Sequence, residues 1–271
     1  MKRTLGLTLL LFATLFSCMR QEKPLPAELS RAESVMWEHP DSALSILRSM
    51  PQSSLSSGKN YATWALLLAQ ARDKVYGKRL PDSLNIPSSD KLVQDAMDYF
   101  EKEGNLKRMA QTYYYKGQLL KDQKKITEAM PFFLKSKEMM TKLDEPLFTY
   151  LICQSLGNTY RYQDLYEESL VQLKDAYQYA LRSGNGERIS YALSELGRTY
   201  VHKNEMDSAL FYFGKSLDNA QRLGNIELEA MAMGELGVVY NKLSQGEKAL
   251  HYTRKELDLC LQISSLHKLP Q

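Results

Sequence analysis

Gly117, Gly157, Gly197 and Gly237 recur at a fixed interval of 40 residues, and the positions around them recur in the same register. Tyr160, Tyr200 and Tyr240 follow the glycine by three, with Leu120 in the first unit. Leu156, Leu196 and Leu236 precede it, with Lys116 as the exception. Ala129, Ser169, Ala209 and Ala249 come twelve residues after it. Gly104, Asp144, Gly184 and Gly224 come thirteen before it, and three of these four continue as Gly-Asn. A period of this length, held in five columns, is the signature of a repeat array whose units stack on their neighbours.

Each column has a mechanical reading. The central glycine and the small residue twelve later mark the closest approach of two antiparallel helices, where a larger side chain would hold them apart. The tyrosine, one turn beyond the glycine, fills a groove toward the next helix. The Gly-Asn column lies past the end of the second helix, where a left-handed residue closes the helix at low steric cost. Arg108 to Lys121 and Thr127 to Lys142 place apolar residues at spacings of three and four, the pattern of amphipathic helices. Asp207 reads as an N-cap opening a second helix. Pro131 falls about one turn inside its helix, and no stretch alternates with the period of a strand. The fold class is all-α: a right-handed α-solenoid of antiparallel helix pairs.

These residues resemble the tetratricopeptide repeat family, whose first helix carries Trp-Leu-Gly-Tyr and whose second carries Ala-Phe-Ala. Leu156-Gly157-Tyr160 and Leu196-Gly197-Tyr200 match the first part, and Ala129-Phe133 and Ala209-Phe213 the second. The tryptophan is absent, and the period of 40 replaces the family's 34, which implies helices longer by up to a turn. Upstream the pattern loosens. Ala32 to Met36 and the capped start Pro40-Asp41-Ser42-Ala43-Leu44 read as one helix pair. Tyr61 to Tyr76 and Asp90 to Lys102 read as another, joined by a loop over 77–89. The organisation expected is therefore divergent pairs over 27–103, four regular repeats over 104–262 and a tail over 263–271. Arrays of this kind end on a solvating helix. The apolar residues up to Leu261 lack one, which points to a covering partner or to a longer relative.

The first residues bear on compartment. Lys2 and Arg3 precede a largely apolar run from Leu5 to Phe16, too short for the roughly 20 residues that span a bilayer. A charged start, a short apolar centre and a small residue before a cut site describe a secretory signal. Leu15-Phe16-Ser17-Cys18 resembles the bacterial lipobox, with 1–17 as the signal peptide and Cys18 as the lipidated new N-terminus. Residues 18–26 then form a tether, and two or more acyl chains would give stable anchoring. Together with the repeats, this resembles exported repeat lipoproteins of Bacteroides-type bacteria. Met19 after the cysteine is not the aspartate that retains such lipoproteins at the inner membrane, and residues 20–24 lack the acidic cluster associated with surface export, which together direct the chain to the outer membrane, facing the periplasm.

Composition excludes more than it assigns. The formal net charge is +3, and losing Lys2 and Arg3 with the leader removes two of those charges, which argues against a nucleic-acid footprint. Cys153 and Cys260 sit among apolar residues and read as buried thiols. His39, His202, His251 and His267 lack metal-ligand spacing, and neither a phosphate loop nor a nucleophile elbow is present. The expectation is a non-enzymatic chain without metal or cofactor.

Binding is the remaining reading. In the family that the repeats resemble, the first helix of each pair lines a concave surface. That resemblance selects Gln118, Lys121 and Asp122; Asn158, Arg161 and Tyr162; Arg198 and His202; and Asn241 and Lys242. Three residues before the glycine it adds Tyr114, Gln154 and Ser194. Asn158, Arg161 and Arg198 resemble the carboxylate clamp with which some members hold a peptide C-terminus. The first expectation is a membrane-anchored scaffold holding a protein or peptide segment in this groove. A periplasmic sensor or regulatory subunit, related to the sensor parts of membrane-bound transcriptional regulators, is the alternative. A glycan-binding uptake lipoprotein ranks third, because only Trp37 and Trp64 are available for sugar stacking. The oligomeric state is open.

Overall fold

The computed structural model describes residues 24–76 and 89–266. The expected leader, Cys18, most of the expected tether, residues 77–88 of the expected loop and residues 267–271 lie outside them. The described residues are helical with no strand, and they fall into two compact units divided between Gly77 and Lys78.

The first unit holds α1 (Ala27–Val35), α2 (Pro40–Ser49), a 3-10 turn (Gln52–Leu55) and α3 (Gly58–Tyr76). Leu29, Ala32, Leu47, Ala65 and Leu66 are fully or almost fully buried in it. Pro40 takes the first helical position and Asp41 the first turn, where its charge suits the helix N-terminus. The N-cap is His39 and makes no side-chain cap, so the capped start expected of this segment is absent. Trp64 donates its indole N–H to the Leu47 carbonyl at 2.8 Å, and Lys74 lies 3.6 Å over the Trp37 ring.

The second unit runs α4 (Ser89–Glu103), α5 (Leu106–Asp122), α6 (Ile126–Lys142), α7 (Pro146–Arg161), α8 (Tyr166–Ser183), α9 (Gly186–His202), α10 (Met206–Leu223), α11 (Ile226–Lys242) and α12 (Gly246–Leu266). α5/α6, α7/α8, α9/α10 and α11/α12 are the four regular pairs, and each second helix packs on the first helix of the next pair. α4 packs on α5 as the second helix of a pair would. Helices α5 to α11 run 16–18 residues, the lengthening that the 40-residue period implied. α6 is continuous through Pro131.

The glycine column works through one opposing side chain. A Cβ at Gly117 would sit 2.7 Å from Phe133, at Gly157 2.5 Å from Leu173, at Gly197 2.5 Å from Phe213 and at Gly237 2.9 Å from Thr253. The nearest side chain stands sixteen residues on, while the small residue twelve on brings its backbone carbonyl within 3.3 Å at Gly157 and 3.6 Å at Gly237. Two of the tyrosines reach the next helix in the chain, as expected. Tyr200 stacks on Tyr212 and Tyr240 on Tyr252 of the paired helix, at 5.3 Å between centroids in each case.

Two left-handed columns set the turns. Gly104, Asp144, Gly184 and Gly224 have positive φ, as the sequence implied, and close the second helices. The asparagine after three of them has a separate task. Asn105, Asn185 and Asn225 each accept a bond from the backbone N–H three residues on, capping the next helix. The second column is Lys124, Asp164, Asn204 and Ser244, all with φ between 58° and 64° and none of them glycine. In each, the following N–H reaches back five residues to the carbonyl of Leu120, Tyr160, Tyr200 or Tyr240, a Schellman closure. Asp207 lies in the first turn of α10, after the N-cap Glu205, and does not cap it.

The two cysteines part company. Cys153 is fully buried, and burial pushes its thiol up to about 12 against the pull of Lys137. Cys260 is free and exposed on α12, contrary to the buried position expected of it. In a Cys18→Ser chain, a thiol reagent is expected to label Cys260 in the native protein. Cys153 should react only after denaturant is added, because the thiolate is the nucleophile; native-state labelling of both, counted by mass spectrometry, would contradict the buried site.

Candidate functional site

Successive first helices α5, α7, α9 and α11 touch one another and form a continuous face. Of the residues expected to line it, Tyr162, His202, Asn241 and Lys242 are exposed, Tyr162 by 70%. Gln118, Lys121 and Gln154 are half-buried, and Lys121 donates to Gln118 at 2.5 Å. Two expected residues do not line it. Tyr114 is buried among the Tyr115, Phe133 and Phe148 rings, because this aromatic cluster is what fills the start of the array. Ser194 is fully buried, 3.0 Å from the Ser216 hydroxyl and donating to Glu235 at 2.8 Å.

The clamp trio is also differently engaged. Arg161 pairs with Glu195 at 2.8 Å, and it reaches the Glu195 carbonyl and the Thr199 hydroxyl at 3.3 Å. Arg198 pairs with the other Glu195 oxygen at 2.8 Å and with Glu235 at 2.6 Å. The result is a chain of alternating charge, Arg161–Glu195–Arg198–Glu235, crossing α7, α9 and α11. Both guanidinium groups are therefore already matched by carboxylates, which removes the basis for a clamp on a peptide carboxylate. Asn158 stands apart from this chain, its Oδ1 buried without a hydrogen-bond partner among the described residues.

Burial dominates the titration of Glu235. It holds the carboxyl above the usual range, against the attraction of Arg198 and the bond from Ser194. For Arg198, burial disfavours the charge, but Glu235 and Glu195 outweigh it and leave the guanidinium more firmly protonated. Sequence reasoning passed over both glutamates. Their column, two before the glycine, reads Tyr115, Ser155, Glu195, Glu235, and its change of residue type concealed that the position is buried in three units and half-buried in the fourth.

Between α9 and α11 the face deepens into a cleft of about 440 Å³. Val201, Met231, Phe213 and Val238 give it apolar walls, and Arg161, Arg198 and Glu235 give it a charged end. His202 stands at its edge, stacked on Tyr166 with 6.0 Å between rings. Among the described residues no group of acidic, histidine or cysteine side chains is placed to hold a metal ion.

A comparison with family models finds no match, and neither does a comparison with characterised protein sequences. Solved structures do match. The apo form of RapI superposes with a TM-score of 0.72 at 14% identity, over 88% of this chain and 66% of that one. A Rap protein complexed with competence and sporulation factor gives 0.61 at 12% identity, over 94% and 81%. A signal-transduction ATPase from Pyrococcus horikoshii with a tetratricopeptide repeat sensor gives 0.65 at 18% identity, over 82% of this chain and 34% of that protein. With its paired helices, 40-residue glycine register and these neighbours, the chain has a tetratricopeptide-type helical-repeat fold.

Proposed function

We propose that this chain is a binding scaffold that holds a segment of another protein, or a peptide, along the face built from α5, α7, α9 and α11. The observation that carries the reading is the cleft between α9 and α11, where apolar walls meet fixed charges on one face of the repeats. Apolar surface supplies contact area while a few placed polar groups select what enters, and extended faces of this kind are what helical-repeat arrays use for binding. A sensor role is the second reading, favoured by the likeness to a protein whose repeat part is described as a sensor. On either reading the chain works without catalysis. Attachment to the outer membrane through lipid on Cys18, facing the periplasm, belongs to the proposal. No helix among the described residues is long and apolar enough to cross a membrane.

Photocrosslinking in the native host tests the face. A benzophenone amino acid at His202 or Val238 is expected to capture the same partner protein, whereas one at Lys174, exposed on α8, is not. Capture only from Lys174, or from none of the three, would overturn the assignment of this face.

A further inference from the structure

The cleft between α9 and α11 carries a charge that the ion-pair chain leaves uncompensated. Glu256 of α12 lines it and makes no ion pair or hydrogen bond among the described residues. Its carboxylate lies at the cleft against Gly234 of α11. A Cβ at Gly234 would stand 2.5 Å from Glu256 Oε1, so a side chain there would push the carboxylate out of this position. The same columns in the earlier repeats are built otherwise. Gly234 corresponds to Tyr114, Gln154 and Ser194, and Glu256 to the small residues Ser136, Ala176 and Ser216. In this one repeat a small residue on the second helix has become a carboxylate, and its opposite number has lost its side chain.

The charges of the cleft then sum simply. Arg161 and Arg198 are balanced by Glu195 and Glu235, and Glu256 remains as one unmatched negative charge. A neutral chain laid over the cleft would strip water from that carboxylate and return nothing, which is costly. A cation would return a charge-assisted hydrogen bond. Val201, Met231 and Val238 offer apolar contact for the aliphatic stem behind such a head group, and Val238 is 55% exposed at the mouth.

We infer that the cleft between α9 and α11 is a subsite for a lysine or arginine side chain of the bound segment, with Glu256 as its counter-charge. This rests on the groove reading and sharpens it to a basic anchor residue.

Selection of a random phage-displayed peptide library against the full chain tests it. The peptides recovered are expected to share a lysine or arginine. Replacing that residue with norleucine should weaken a chosen peptide by roughly tenfold. Glu256→Gln should weaken the parent peptide by a similar factor and leave the norleucine peptide unaffected, a coupling that general loss of packing would not produce. Gly234→Ala, which displaces the Glu256 carboxylate, should act in the same direction. Peptides that crosslink at His202 yet share no basic residue, or that are insensitive to Glu256→Gln, overturn the basic subsite and leave the groove standing. Recovery of no peptide that competes at this face overturns both.

Discussion

Phe213→Ala is expected to lower the free energy of unfolding by about 3–5 kcal/mol, read from denaturant titration followed by circular dichroism. Phe213 is 2% exposed, and its ring occupies the space that Gly197 leaves on the facing helix. It also joins Ala209, Leu236 and Val239 in the core between the third and fourth regular pairs, so its loss opens two interfaces at once. Gly197→Ala fails for the opposite reason. Its methyl group would stand 2.5 Å from the ring and force the helices apart, at about 1–3 kcal/mol. The two changes together should cost less than their sum, because the methyl enters the space the ring has vacated. Gly214, one residue along α10, has nothing within 4 Å of its would-be Cβ. Gly214→Ala should therefore stabilise by up to about 1 kcal/mol, from helix propensity alone. Equal effects at Gly197 and Gly214 would refute the packing role given to the repeating glycine.

Glu195→Ala is expected to cost about 3 kcal/mol in the same measurement. Its carboxylate accepts charge from both Arg161 and Arg198, and the Arg161 side chain is only 12% exposed. Removing the acid leaves that guanidinium enclosed without its counter-charge, and this penalty exceeds the net worth of the intact pair. Arg198 is 39% exposed and keeps Glu235, so it adds less. Arg161→Met combined with Glu195→Leu should recover much of the loss, since a matched apolar pair leaves no orphaned charge. If Glu195→Ala melts like the parent chain, the charges are solvated and the ladder is not structural.

What the sequence disclosed follows from how each feature is encoded. Gly184 and Gly224 could be placed at helix ends because glycine is the residue that turns of that handedness favour. Lys124, Asp164, Asn204 and Ser244 adopt the same backbone and went unnoticed, because four different side chains share one geometry. They are held there by the Schellman bonds of the chain around them, which no single-residue preference reports. The binding face shows the same divide. The resemblance to the repeat family put His202, Asn241 and Lys242 on the surface, and there they stand. It also put Arg161 and Arg198 on that face, but could not show that Glu195 and Glu235 enclose their charges, since the Arg161–Glu195 and Arg198–Glu235 pairs join different helices across 34 and 37 residues. Gly234 was hidden for a related reason. Its meaning depends on Glu256, and only the packed helices bring the two together.

The ladder from Arg161 to Glu235 has a mechanical consequence. Apolar stacking fastens each helix to its immediate neighbour, but the charges tie first helix to first helix, skipping the one between. Any bending that spreads α7, α9 and α11 must stretch those ties before it disturbs the core. Their strength depends on screening at the partly exposed Arg198, where salt acts within a Debye length of about 8 Å. Raising the ionic strength is thus expected to loosen the tie at Arg198 and Glu235 first, while the more enclosed tie between Arg161 and Glu195 is screened less.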